Sequence, residues 1–142
     1  MAENESMSPE AQPEQVHKVL IVEDSDPCAA TVEMALLGIS GLWLVRAPSG
    51  LEALRILKQP GSGVRAIITD LNMPQMDGFE LIRQIREEDQ ISGIPIIVLS
   101  ADTDPATPGR VAEMKVDAFF AKPFSPAEVR RKLEQLLHAT TD

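Results

Sequence analysis

Apolar and polar positions follow two rhythms along this chain. Unbroken apolar runs occur at Val19-Leu20-Ile21-Val22, Leu42-Trp43-Leu44-Val45, Ile96-Ile97-Val98-Leu99 and Ala118-Phe119-Phe120-Ala121, and a fifth strand-like stretch covers about Arg65 to Thr69. Short apolar runs bounded by turn residues predict strands buried on both faces. Between the runs, apolar residues recur at helical spacing: Val32 and Leu36; Leu51, Leu54 and Leu57; Phe79, Ile82 and Ile85 or Leu81; Val129, Leu133, Leu136 and Leu137. That spacing gathers them on one helical face.

Turn and cap residues set the boundaries. Asp26 is the expected cap of the first helix, with Pro27 at its first position and an end near Leu37, before Gly38 and Gly41. Ser49 caps the second helix and Pro60-Gly61-Ser62-Gly63 ends it. Asp77 caps the third, which covers about 78–87. The last begins with the capping box Ser125 and Glu128, and Pro126 takes its first position. Least regular is the segment 102–109, with Pro105, Pro108 and Gly109. A helix begun at Asp104 would place Pro108 where its missing N–H leaves a carbonyl unpaired. The pattern therefore predicts a short fourth helix over about 108–115, capped by Thr107, after a loop at 102–107.

Five strands alternating with five helices predict an α/β fold with a parallel sheet covered on both faces. Residues 1–17 are polar, contain Pro9 and Pro13, and read as a disordered acidic tail; 18–138 form one domain and 139–142 a C-terminal tail. The net charge of −9 over 142 residues argues against a nucleic-acid partner, which needs a basic surface. A lone cysteine, Cys28, excludes an internal disulfide, suits a reducing compartment and reads as a small buried filler. No run is long enough to span a membrane and no signal peptide opens the chain, so the expected location is the cytoplasm, with no membrane partner. His17 and His138 fall outside the core pattern and read as solvated.

Four of the five strands end in polar residues: Glu23 and Asp24, Asp70, Ser100, and Lys122. In a parallel sheet these endings share one edge, where ligands bind. Acids that share such a site repel one another, and a divalent cation resolves the conflict. Mg²⁺ takes oxygen ligands and keeps waters that a phosphate replaces. Asp24, Asp70 and the backbone carbonyl of Asn72 are the expected ligands, with Glu23 acting through water. Lys122 and Ser100 would meet the oxygens of a phosphoryl group moving onto Asp70, the natural nucleophile. Each residue also has a plainer reading. Glu23-Asp24 would suit any helix N-terminus, Asp70 a turn, Lys122 a solvated surface, Ser100 a structural hydroxyl, and Phe119 the core. Their coincidence at one edge favours the chemistry. Met73 and Met76 read as loop packing, since thioethers do not suit Mg²⁺.

Glu23-Asp24, the stretch Asp70-Leu71-Asn72-Met73-Pro74-Gln75-Met76-Asp77-Gly78, Ser100-Ala101 and Lys122-Pro123-Phe124 resemble the signature of response-regulator receiver domains, the CheY-like modules of two-component signalling. The resemblance covers roughly 18–138 and implies a flavodoxin-like, doubly wound fold with sheet order 2-1-3-4-5. It implies Mg²⁺-dependent phosphorylation of Asp70, with Mn²⁺ able to substitute. The phosphoryl donor would be a sensor histidine kinase or a histidine phosphotransfer protein. By position, Ser100 resembles the hydroxyl switch, Lys122 the phosphoryl-binding lysine and Phe119 the aromatic rotamer switch. Two features depart from the pattern: the chain has no Tyr, and its fourth helix is cut short by Pro105, Pro108 and Gly109. The chain stops just after its fifth helix, so the expectation is a stand-alone receiver, not an enzyme beyond its own phosphorylation and dephosphorylation. Its output would pass through a downstream protein that the sequence does not identify. A competing reading is a phosphatase of the haloacid-dehalogenase type, but its general acid would stand at Asn72, which cannot fill that role. A receiver-like scaffold is a third reading, disfavoured because every residue needed for phosphorylation is present.

Overall fold

The computed structural model describes residues 16–141, so residues 1–15 of the expected tail and Asp142 lie outside the described residues. Five strands, β1 (His17–Val22), β2 (Leu42–Ala47), β3 (Val64–Asp70), β4 (Ile96–Ser100) and β5 (Ala118–Ala121), alternate with five helices. The helices are α1 (Asp26–Ala35), α2 (Gly50–Lys58), α3 (Gly78–Glu87), α4 (Thr107–Glu113) and α5 (Pro126–Thr141). All strand pairs are parallel, in the order β2-β1-β3-β4-β5. The flavodoxin-like order expected from the resemblance is the order found.

Strand side chains alternate between two cores, which is why the apolar runs are unbroken. Leu20, Val22, Ile67, Ile96 and Val98 pack with Leu54, Leu57, Leu81, Ile82, Ile85 and Val111, from α2, α3 and α4. Their neighbours Val19, Ile21, Ile68, Ile97 and Leu99 turn the other way, onto Val32, Leu36, Val129, Leu133 and Leu137. On α3 the fully buried position is Leu81 beside Ile82 and Ile85, while Phe79 is half-buried.

Strand ends differ from the apolar runs in a consistent direction. β2 continues through Arg46 to Ala47, β3 takes in Asp70, and β4 takes in Ser100. Asp70 stands opposite Leu99, and Ser100 opposite Ala121, so the polar residues are held by the ladders themselves. At the other edge β1 starts at His17. Its amide donates to the Gly41 carbonyl at 2.6 Å, and its Nδ1 is buried without a hydrogen-bond partner. Burial lowers the pKa of this imidazole, so His17 is not the solvated side chain expected.

Caps at Ser49 and Asp77 are as expected, accepting from the Glu52 and Glu80 amides at 3.1 and 2.9 Å. Ser125 likewise accepts from the Glu128 amide at 3.2 Å. Two caps need correction. α1 is capped by Ser25, which accepts from the Cys28 amide at 3.3 Å, so Asp26 is its first helical residue, and the helix ends at Ala35. Pro27 then sits one position deeper, where its missing N–H still costs no intrahelical bond. α4 starts at Thr107, with Ala106 at the cap position and no side-chain cap bond. The Thr107 hydroxyl donates instead to Asp102 Oδ2 at 3.1 Å. At the C-terminus, α5 continues to Thr141, through residues read as a tail.

Candidate functional site

The strand order reverses at β1, whose neighbours are β2 on one side and β3 on the other. A crevice at the carboxyl edge of such a switch point is where doubly wound sheets bind ligands. Asp70 closes β3 there. Its Oδ1 accepts from the Leu71 amide at 2.7 Å and, more weakly, from the Asn72 amide at 3.4 Å. The loop that follows is folded back tightly. Pro74 and Met76 close a three-residue turn at 2.8 Å, with Gln75 at a φ of 70°, and the Gly78 amide donates to the Leu71 carbonyl at 2.8 Å. A Cβ on Gly78 would lie 2.3 Å from the Asp70 carbonyl oxygen and 2.7 Å from Leu71 Cα, so only glycine lets α3 start this close to Asp70. Met73 is buried and Met76 packs over Gly50, the loop-packing role expected of both.

Carboxylate oxygens of Glu23, Asp24 and Asp70 all lie within 4.8 Å of one another. Glu23 is buried, Asp70 nearly so and Asp24 exposed. Lys122 reaches in from the end of β5, with Nζ 3.3 Å from Glu23 Oε1 and 3.7 Å from Asp70 Oδ2. Burial pushes the Glu23 carboxyl above its ordinary pKa; the Ser25 amide and Lys122 pull it down, while Asp70 adds to the rise. Burial alone would lower the Lys122 ammonium, but Asp70 and Glu23 outweigh it and hold the ammonium above its ordinary value. Three carboxylates against one ammonium leave excess negative charge in a crevice partly shielded from water. Oxygen donors of this number and hardness fit a small divalent cation of the Mg²⁺ kind.

Ser100 is fully buried at the end of β4, and its Oγ accepts from the Asp102 amide at 3.0 Å. The Lys122 amide donates to the Ser100 carbonyl at 2.8 Å, so β4 and β5 deliver these two residues side by side. Phe119 stands apart from the acids, opposite Val98, packed against the α2–α3 core and half-buried. Asn72 is exposed, one residue beyond Leu71.

One residue at this edge escaped the sequence reading. Arg46 donates from Nε and Nη2 to the Glu23 carbonyl, at 3.1 and 2.8 Å, and from Nη1 to the Asp26 carboxylate. A signal existed: Arg46 is the polar ending of the second strand, the one strand read as having none. Ending that strand at Val45 hid it.

A doubly wound sheet of this order, with an acid cluster and a lysine at its switch point, defines a flavodoxin-like protein whose carboxyl edge carries charges of both signs. Comparison with known proteins narrows that class. Residues 19–134 match the family model of the response regulator receiver domain. A chemotaxis protein CheY homolog of Campylobacter jejuni is 31% identical over 120 residues, 84% of this chain and 92% of that protein. The two-component response regulator ORR3 of Oryza sativa is 33% identical over 131 residues, 92% of this chain and 98% of its own length. Among solved structures, chemotaxis response regulator CheY4 of Vibrio cholerae superposes with a TM-score of 0.73 at 30% identity, covering 85% of this chain and 98% of that one. A Francisella response regulator receiver domain gives a TM-score of 0.77 at 26% identity, covering 87% and 98%. The chain belongs to the response regulator receiver domain family and is a CheY-like receiver of two-component signalling. Among the described residues, no helix is long and apolar enough to cross a membrane.

Proposed function

We propose that the protein is a phosphoacceptor switch, in which Asp70 takes a phosphoryl group from the phosphohistidine of a sensor histidine kinase or a histidine phosphotransfer protein. The observation that carries this reading is the asymmetric setting of the Asp70 carboxylate. Oδ1 is anchored by the Leu71 amide, whereas Oδ2 has no hydrogen bond among the described residues and faces Lys122 at 3.7 Å inside the acid cluster. A carboxylate oriented by one oxygen and open at the other is poised for in-line attack on phosphorus. The new O–P bond forms as the P–N bond to the donor imidazole breaks; the imidazole leaves with the electron pair and takes up a proton.

Asp24 and Asp70, with the Asn72 carbonyl, would hold Mg²⁺, and Glu23 would contact it through water. When bound, the ion supplies positive charge that offsets the carboxylates and the incoming phosphoryl oxygens. Lys122, already beside Asp70, takes a phosphoryl oxygen in a charge-assisted bond. The Ser100 hydroxyl, whose oxygen accepts from Asp102, keeps its proton for donation to another. Phe119, lacking a hydroxyl, would respond through burial of its ring, changing the surface offered to a downstream protein. A cytoplasmic location fits this role. Incubation with acetyl phosphate and Mg²⁺, followed by intact mass, is the test. The wild-type chain should gain one phosphoryl group and Asp70→Asn none; an adduct that survives in Asp70→Asn would place the acceptor elsewhere.

A further inference from the structure

Asp24 is exposed and has no hydrogen bond among the described residues, so no side-chain partner holds its carboxylate and its place depends on the turn that carries it. That turn is the short one between β1 and α1. The Glu23 amide closes the β1–β2 ladder by donating to the Ala47 carbonyl at 3.1 Å. Pro48 follows Ala47, and the chain then turns into the Ser49 cap of α2. The ladder therefore stops at Glu23, and the Glu23 carbonyl is taken by a side chain instead of a strand. Arg46 reaches it with two N–H groups, and the third contact of the same guanidinium holds Asp26, the first residue of α1. One planar fork thus contacts both ends of the turn that carries Asp24.

We infer that Arg46 is a positioning residue for the cation site: by clamping the Glu23 carbonyl and the Asp26 carboxylate it holds the turn that keeps the Asp24 carboxylate within 4.8 Å of those of Glu23 and Asp70. The inference rests on the phosphoacceptor reading and adds to it a requirement on a residue that touches neither ion nor phosphoryl group. Geometry and field act in opposite directions here. Removing a positive charge one turn away from the acid cluster should strengthen binding of a cation by Coulomb attraction alone. Releasing the Glu23–Asp26 turn should weaken it, because the ion must then order the loop itself. The sign of the change therefore decides between the two.

The experiment is Mg²⁺ titration of the unphosphorylated full chain, followed by amide NMR shifts of Asp70 and Leu71, for wild type, Arg46→Ala and Arg46→Lys. Expected is a Kd raised about 10-fold in Arg46→Ala, the low end of the range for supporting residues around metal ligands. Arg46→Lys should recover part of it, since one ammonium can take the carbonyl but not the fork. In acetyl phosphate reactions the Mg²⁺ concentration for half-maximal rate should rise by the same factor, while the rate at saturating Mg²⁺ stays near wild type. An unchanged or lower Kd in Arg46→Ala overturns the inference and leaves the phosphoacceptor reading intact. So does a saturating rate that falls while the Kd does not. Should Arg46→Ala fail to fold, Arg46→Lys alone decides, and a wild-type Kd there overturns it. A wild-type chain that binds no Mg²⁺ overturns both.

Discussion

α3 and α4 flank the same edge of the sheet, yet they are built to different standards. α3 has ten residues, an Asp77 cap bonded to the Glu80 amide, an acid in its first turn, Arg86 in its last, and Leu81, Ile82 and Ile85 fully buried. α4 has seven residues, no side-chain cap, no acid in its first turn, and only Thr107 and Val111 buried. α4 is also closed by Lys115 at a φ of 64°, a position usually left to glycine. A helix of two turns is not stable by itself. It is held by borrowed contacts: Asp102 takes the Thr107 hydroxyl, Asp104 the Ala106 amide, and the Arg110 guanidinium lies over the Phe79 ring at 3.9 Å. The difference separates two tasks. The α3 side fixes the Asp70 carboxylate, and the α4 side, tied to Ser100 through the Asp102 amide, is the part with least holding it in place.

The largest way to break that contrast is at the two helices' glycines. Gly78→Ala forces a Cβ into the Asp70 carbonyl and the Leu71 backbone, atoms that cannot swing aside. Overpacking of this kind costs about 1–3 kcal/mol, and here it should also displace the Leu71 amide from Asp70. Urea denaturation would show the loss of stability, and the acetyl phosphate reaction a loss of rate beyond what unfolding explains. A wild-type midpoint for Gly78→Ala would mean that α3 is not tightly seated.

The opposite sign is expected on α4. An added Cβ at Gly109 meets nothing within 4 Å. Gly109→Ala therefore removes only unfolded-chain freedom and should stabilise the protein by about 0.4–1 kcal/mol. Amide exchange at Val111 would slow if the gain lies in the helix. If Gly109→Ala destabilises instead, α4 is packed more closely than its surroundings indicate, and the contrast fails.

Much of the α3 side is legible from sequence because its determinants are local. Asp77 before Gly78 is a cap wherever it occurs, and an apolar run ending in Asp70 needs no tertiary partner to be read as a strand. The misreadings fall where two residues compete for one role or where the partner is distant. Ser25 and Asp26 are both good caps and Pro27 suits either register; in the structure Ser25 takes the Cys28 amide while the Asp26 carboxylate goes to Arg46, 20 residues on. Thr107 looks like a cap until Asp102, five residues earlier, claims its hydroxyl. Arg46 could be read as a polar residue near the end of a strand, but what it holds could not, because its partners Glu23 and Asp26 lie 23 and 20 residues away. Lys122 was legible only as part of a set, since its contact with Glu23 spans 99 residues.

The smallest expected difference is electrostatic and sits on the exposed face. Arg83 bridges Glu80 and Glu87 on α3, and Gln84 also donates to Glu80. The hydrogen bonds from Arg83, then from Gln84, hold the Glu80 carboxyl down from 4.5 to about 2. Because the folded value is depressed, the contribution to stability is fully present above the unfolded value near 4.5. It is lost as pH falls from there toward about 2. The charged side chains of Glu80, Arg83 and Glu87 all reach solvent, so salt screens the pairs and the effect is small. Among the described residues α4 contains no ion pair of its own and should lack this pH dependence. A carboxyl NMR titration would find Glu80 well below the ordinary glutamate value, and exchange protection, corrected for intrinsic rate, should fall on acidification more in α3 than in α4. Glu80→Gln should remove that extra fall in α3. If Glu80 instead titrates at the ordinary glutamate value at low salt, the pair does not persist in solution, and the two helices differ in caps and burial alone.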